Sequence, residues 1–179
     1  KRGNMNEDLI HKHIQAILEE VKPAMTKSTF NFTDTSIEEK LSQSSLALAM
    51  KSNVNVAVEL PNNDNRIFLN KSNNKALTKF DEELGPNYRC TGFFWYPPGS
   101  YCGWHTNADL EGERTYFVWS PEDGKSFFRY YDAENKNIIT EPERKGVTIR
   151  KFSTSKQNPF WHSVGSYTNR ISIGYMEIK

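Results

Sequence analysis

The chain has four histidines, and two of them stand where their types and surroundings could do chemistry. His105 lies in "YPPGSYCGWHTN", Tyr96 to Asn107, and His162 lies in "FWHSVGSYTNRIS". Each follows a tryptophan, whereas His11 and His13 belong to a polar N-terminal stretch. Arg170 follows His162 and opens the run "RISIGYMEI". If that run is a strand, Arg170, Ser172, Gly174 and Met176 share one face. A guanidinium on an inner face demands an anionic partner. Its planar fork suits a carboxylate, and the Ser172 hydroxyl can add a bond to the same oxygen. The partner is either a ligand carboxylate or one of the chain's 22 acidic residues.

Two imidazoles and an oxygen donor on one face of an octahedral metal leave the remaining positions open, which is the facial arrangement of non-haem iron(II) oxygenases. The oxygen donor of that arrangement is a carboxylate two residues past the first histidine; here that position is Asn107. An amide oxygen can meet a hard metal but brings no charge, so iron(II) is held more weakly. Several outcomes are open. The Asn107 amide ligates; Asp109 or Glu111 swings in from the same loop; the position is left to a halide; or the metal is lost and a binding shell remains. Asn107 can also simply end the strand as an Asx-type turn residue.

The elements that must position these residues differ between the two halves of the chain. Residues 1–88 form a helical and mixed support region. Leu9, Ile10, Ile14, Ile17, Leu18 and Val21 recur at helical spacing, with Pro23 limiting the helix. "SIEEKLSQSSLALAM" is expected to be a second helix capped by Thr35 or Ser36, and "NKALTKFDEELG" a third that stops at Gly85 and Pro86. "NVAVEL" and "NRIFLN" read as short strands. From residue 89 to 179 the pattern becomes eight short runs rich in aromatic and β-branched residues, separated by turns such as "PPG", "EDG" and "ERKG". The whole is one compact α+β domain, a double-stranded β-helix (a jelly roll, cupin-like) braced by N-terminal helices. In that topology the second and seventh strands neighbour each other, which brings His105 and His162 together.

Bulk properties exclude several classes. The net charge of +1 offers no basic stripe for nucleic acid, and the apolar fraction of 36% contains no membrane-length run. "KRGNMNEDL" is polar throughout, so no leader is expected, and Cys90 and Cys102 read as free thiols in a reducing cytoplasm. Four histidines are too few for a sugar-processing cupin that gathers three or four metal-binding side chains.

The ordered set resembles the prolyl 4-hydroxylase-like branch of the iron(II)/2-oxoglutarate-dependent dioxygenases, with H-x-N in place of H-x-D. Tyr96, Gly99 and His105 match the family's first motif, and the strand reaching "IRKF", then His162, then Arg-x-Ser at Arg170 and Ser172 match its second. The resemblance covers roughly residues 89–179. It implies that His105, Asn107 and His162 hold Fe(II), with Asp109 as the alternative third ligand. It also implies that Arg170 and Ser172, with Tyr96 in support, clamp the far carboxylate of 2-oxoglutarate. Tyr116 and Arg129 are placed on the cosubstrate or substrate side, and Trp104, Phe160 and Trp161 form a dry wall. The implied activity is the hydroxylation of a small-molecule or peptide substrate by dioxygen, with release of succinate and CO2. The expected assembly is a monomer or weak dimer. The competing reading is a catalytically impaired jelly-roll binding protein.

Overall fold

The computed structural model describes residues 5–27, 36–52 and 63–178; the expected strand "NVAVEL" and the Thr35 cap lie outside them. Among the described residues there are four α-helices, α1 (Glu7–Lys27), α2 (Ile37–Lys40), α3 (Gln43–Lys51) and α4 (Lys75–Leu84), the last of them after the first strand. The described strands are nine: β1 (Ile67–Phe68), between α3 and α4, and then β2 (Tyr88–Tyr96), β3 (Ser100–His105), β4 (Gly112–Ser120), β5 (Ser126–Asp132), β6 (Asn137–Pro142), β7 (Gly146–Thr154), β8 (His162–Ser166) and β9 (Arg170–Glu177). All eight runs expected after residue 88 are strands. They form two antiparallel sheets, β1-β2-β9-β4-β7 and β3-β8-β5-β6, packed as a jelly roll.

Alternation sorts each strand between two environments. On the five-stranded sheet Phe93, Trp95, Phe117, Ile171, Ile173 and Tyr175 face outward and pack under α1 and α4. Their neighbours Phe94, Tyr96, Arg170 and Ser172 face inward, between the sheets. The four-stranded sheet is also covered: Tyr101 and Phe127 on its outer face pack with Ile37 and Leu41 of the α2 region. Helices therefore brace both outer faces.

Helix boundaries differ from the sequence expectation at two points. α1 runs through Pro23 to Lys27. Proline removes one backbone donor, but Pro23 and Glu19, four residues earlier, lie on the exposed side, where water can satisfy the freed carbonyl. The stripe Ile10, Ile14, Ile17, Leu18 and Val21 is buried throughout and holds the helix by packing. The second expected helix is two helices, because Ser42 caps α3 by accepting from Ser45 N. α4 is tied to α1 by its own cap: Asn74 accepts from Leu77 N and donates to Ile17 O, while Glu20 of α1 accepts from Lys75 N and Ala76 N.

Since Ile173 is buried against the helices while Ser172 beside it faces the interior, the two sides of β9 are separable. Ile173→Ala is expected to lower the unfolding free energy by about 2–5 kcal/mol. The check is urea denaturation followed by circular dichroism, with the sheet interior left chemically unchanged.

Candidate functional site

β3 and β8 are antiparallel neighbours, and their register pairs His105 with His162 directly. Regular alternation would not allow this. Cys102 faces the interior, so His105, three residues on, would face outward. A register shift between Cys102 and His105 restores it to the inside. The irregularity needs Gly103, whose backbone N–H bonds Asn63 O at 2.7 Å and whose absent Cβ would meet the Asn63 side chain at 2.2 Å. Trp104 is turned outward, where its Nε1 donates to Ser42 O. It is therefore part of the outer packing and not of the dry wall.

The two imidazole rings lie with centroids 4.1 Å apart, His105 at 4% exposure and His162 at 1%. His105 Nδ1 is 2.7 Å from Gly103 O, and His162 Nδ1 is 2.8 Å from Phe160 O. A carbonyl accepts, so each Nδ1 carries the proton and each Nε2 keeps its lone pair. This is how histidines are oriented to serve as metal ligands. Burial depresses both pKa values, His162 to about 4 and His105 well below its ordinary value, with a further contribution from His162 on His105. Both rings are neutral at pH 7. Phe128 and Phe160 stack on His162 at 5.5 and 5.3 Å, and Phe152 lies at 4.8 Å. The apolar wall beside His162 is thus Phe128, Phe152 and Phe160.

Asn107 lies just past the end of β3 with φ of 53°, a left-handed conformation that Asn and Asp adopt more readily than most residues. Its side-chain amide lies 3.4 Å from His162 Nε2. The side chain therefore reaches the free nitrogen, and rotation by half a turn exchanges its NH2 for Oδ1. Asp109 and Glu111 are exposed and absent from the cavity lining, and Glu111 accepts from Lys156 N. Among the described residues no three His, Cys, Asp or Glu side chains converge. A divalent metal would find two imidazole nitrogens and an amide, which fits a neutral, weak donor set.

Next to the histidines is a cavity of about 110 Å3, lined by Tyr96, Tyr116, Arg170 and Ser172 among the expected residues. Arg170 does not present its whole fork. Its Nε and Nη2 donate to Glu143 at 2.7 and 3.0 Å, and both residues are buried. Burial alone would push the Glu143 pKa up, but the Arg170 charge outweighs it and holds the carboxyl below its ordinary value. Arg170 Nη1 is buried without a partner, and the guanidinium lies 4.7 Å from the centre of the Tyr96 ring. Gly174 makes room for Tyr116, since a Cβ there would meet its ring at 2.8 Å. Arg129 is elsewhere: it faces outward and donates to Thr140 Oγ1 and Leu41 O.

Sequence reasoning missed Arg66 and Arg114, which also line the cavity, and Glu143. Arg114 shares the inward face of β4 with Tyr116, so alternation from Tyr116 points to it. Glu143 sits in a charged turn and Arg66 precedes the motif-bearing half, so neither carries a signal of its own.

No protein-family model matches the chain, and no curated protein sequence matches it. Solved structures do. A Trichoplax adhaerens prolyl hydroxylase, in complex with a hypoxia inducible factor oxygen degradation domain peptide fragment, is 16% identical with a TM-score of 0.47, covering 99% of this chain and 94% of its own. A Pseudomonas putida prolyl-4-hydroxylase is 15% identical, TM-score 0.45, covering 93% and 99%. A Burkholderia pseudomallei protein of the 2OG-Fe(II) oxygenase family is 13% identical, TM-score 0.42; the match covers 63% of this chain and 64% of that one. Among the described residues no helix is long and apolar enough to cross a membrane.

Because the unfolded chain titrates near 6.5 and His162 in the fold near 4, the unfolded state binds more protons between these values. Stability of the metal-free protein therefore falls as pH drops through that window, by roughly 1 kcal/mol per pH unit for each such imidazole. Urea midpoints from pH 7 to 4 should be flatter for His105→Gln/His162→Gln than for the parent; parallel curves would mean the rings accept protons in place.

Proposed function

We propose that the chain is a 2-oxoglutarate-dependent iron(II) oxygenase, most simply a hydroxylase, whose third metal ligand is an amide. The observation that carries this reading is the facing pair of neutral imidazoles, each with Nδ1 spent on a backbone carbonyl and its lone pair kept on Nε2. His105 and His162 would hold the metal, with Asn107 Oδ1 as the third donor. Arg170 Nη1 and Ser172 would take the far carboxylate of 2-oxoglutarate, with Tyr96 in support. The bound iron, 2-oxoglutarate and dioxygen together supply an oxidation that releases succinate and CO2. Phe128, Phe152 and Phe160 keep water from the ring nitrogens, and Glu143 fixes the Arg170 fork so that Nη1 alone is presented.

A second reading is a jelly-roll binding protein without redox activity. The observation in its favour is that no carboxylate lines the cavity among the described residues, whereas three arginines do. The deciding experiment is anaerobic loading with iron(II), then 2-oxoglutarate and air. Succinate formed by slow uncoupled turnover supports the oxygenase. Its absence at every iron concentration supports the binding protein.

Asn107→Asp adds a charge at constant shape, in a backbone conformation aspartate tolerates. Iron(II) affinity, measured by competition with a chelator, should rise about tenfold or more, equivalent to about 1.4 kcal/mol. No gain would mean that position 107 does not meet the metal. Removing the buried pair together, as Arg170→Met with Glu143→Leu, spares the fold an unpaired charge. It should weaken 2-oxoglutarate binding by roughly two orders of magnitude in calorimetry while metal affinity stays near the parent's.

A further inference from the structure

Three guanidinium groups line the cavity, Arg66, Arg114 and Arg170. Two have acids to balance them: Arg170 holds Glu143, and Arg66 Nε holds Asp64 at 2.8 Å. Arg114 has none. It is only 5% exposed, and among the described residues no carboxylate forms an ion pair with it. Its Nη2 donates to Leu110 O at 2.8 Å and to Asn107 O at 3.5 Å, and its Nε to Thr154 Oγ1 at 3.4 Å. These neutral acceptors satisfy N–H groups but leave the charge uncompensated. A buried cation without a counter-charge is costly, and the neutral imidazoles beside it offer none.

We propose that Arg114 is the recognition group for an acidic ligand, so that the molecule accepted beside His105 and His162 is a small carboxylic acid. The proposal deepens the oxygenase reading by naming its substrate class, and it rests on that reading only for the word substrate. A divalent metal and doubly ionised 2-oxoglutarate cancel, which leaves the single positive charge of Arg114 for a further anion. A carboxylate matches the guanidinium fork, and full burial makes such a pair stronger than it would be in water. The cavity of about 110 Å3 restricts the part of the ligand that enters it to a few carbon atoms. Arg114 also holds the carbonyls of Asn107 and Leu110, so filling its remaining hydrogen-bonding capacity acts next to the third ligand position.

The test uses the whole metal-free chain and calorimetry with glutarate, its neutral diamide glutaramide, and inorganic phosphate. Glutarate should bind at least about tenfold more tightly than glutaramide. Arg114→Gln should weaken glutarate by about tenfold or more, while Arg114→Lys, which keeps the charge, stays within about threefold. Thermal unfolding of each variant shows whether it is folded. If Arg114→Gln fails to fold, the acid-against-amide comparison in the Arg170→Met/Glu143→Leu chain, which lacks the other carboxylate clamp, decides. Equal binding of acid and amide, no binding of glutarate, or equal glutarate affinity in the parent and Arg114→Gln overturns the proposal. Phosphate bound through Arg114 in place of glutarate overturns the assignment to carboxylic acids. The oxygenase reading fails separately: Arg114-dependent glutarate binding without succinate formation sinks that reading and leaves this one standing. Succinate formation with equal glutarate affinity in the parent and Arg114→Gln does the reverse.

Discussion

The pairing of β3 with β8 is the constraint on which the interior depends. It sets His105 across from His162, and it does so only because a register shift after Cys102 turns His105 inward. That shift requires a residue without a side chain at position 103, since Asn63 occupies the space a Cβ would need. Each imidazole is then locked by a carbonyl two residues before it, Gly103 for one and Phe160 for the other. The same local device is used on two strands, and on each it leaves Nε2 as the nitrogen with the lone pair. Ring orientation here is a backbone property, set before any ligand arrives.

The interior is unusual in its charge. A jelly roll usually fills the space between its sheets with apolar side chains; here the inward faces of β2, β4 and β9 carry tyrosines and arginines beside phenylalanines. Arg170 is kept in place by Glu143, which also lies 3.7 Å from Arg150, so one carboxylate serves two cations. Removing a single partner from such a group leaves a buried charge and typically costs about 3–5 kcal/mol. The arrangement is therefore held by mutual dependence among β6, β7 and β9, and it leaves one nitrogen of Arg170 available. The positive balance that remains favours anions at the cavity and weakens the case for a bare divalent cation.

The outer faces explain how the fold tolerates so polar an interior. Apolar burial is concentrated where α1 and α4 meet the five-stranded sheet, with a smaller cluster where α2 meets the other sheet. Stability is thus drawn largely from helix-on-sheet packing, which leaves the space between the sheets for ligand chemistry. Trp104 and Arg129 belong to that outer shell, since both bond to carbonyls of the α2–α3 segment.

Much of this was legible in the sequence. Alternating aromatic and β-branched runs separated by turn residues announced eight strands and a jelly roll, because strand period and turn chemistry are local. The histidines, Asn107, Arg170 and Ser172 were legible through type and spacing. What the tertiary structure decided was who meets whom. The partner of Arg170 is Glu143, from a turn with no motif, because a buried charge takes its counter-charge from whatever strand end lies nearest in space. Arg66 reaches the cavity from the region before residue 89 because β1 adds itself to the edge of β2. Arg129 and Tyr116 come from strands consecutive in sequence, β5 and β4, that belong to different sheets, and one faces outward while the other faces the cavity, since sheet membership and the two-residue period together fix a side chain's face. Helix ends were decided the same way: burial of one stripe carried α1 through Pro23, a balance between a lost hydrogen bond and packed apolar surface that only the assembled fold contains.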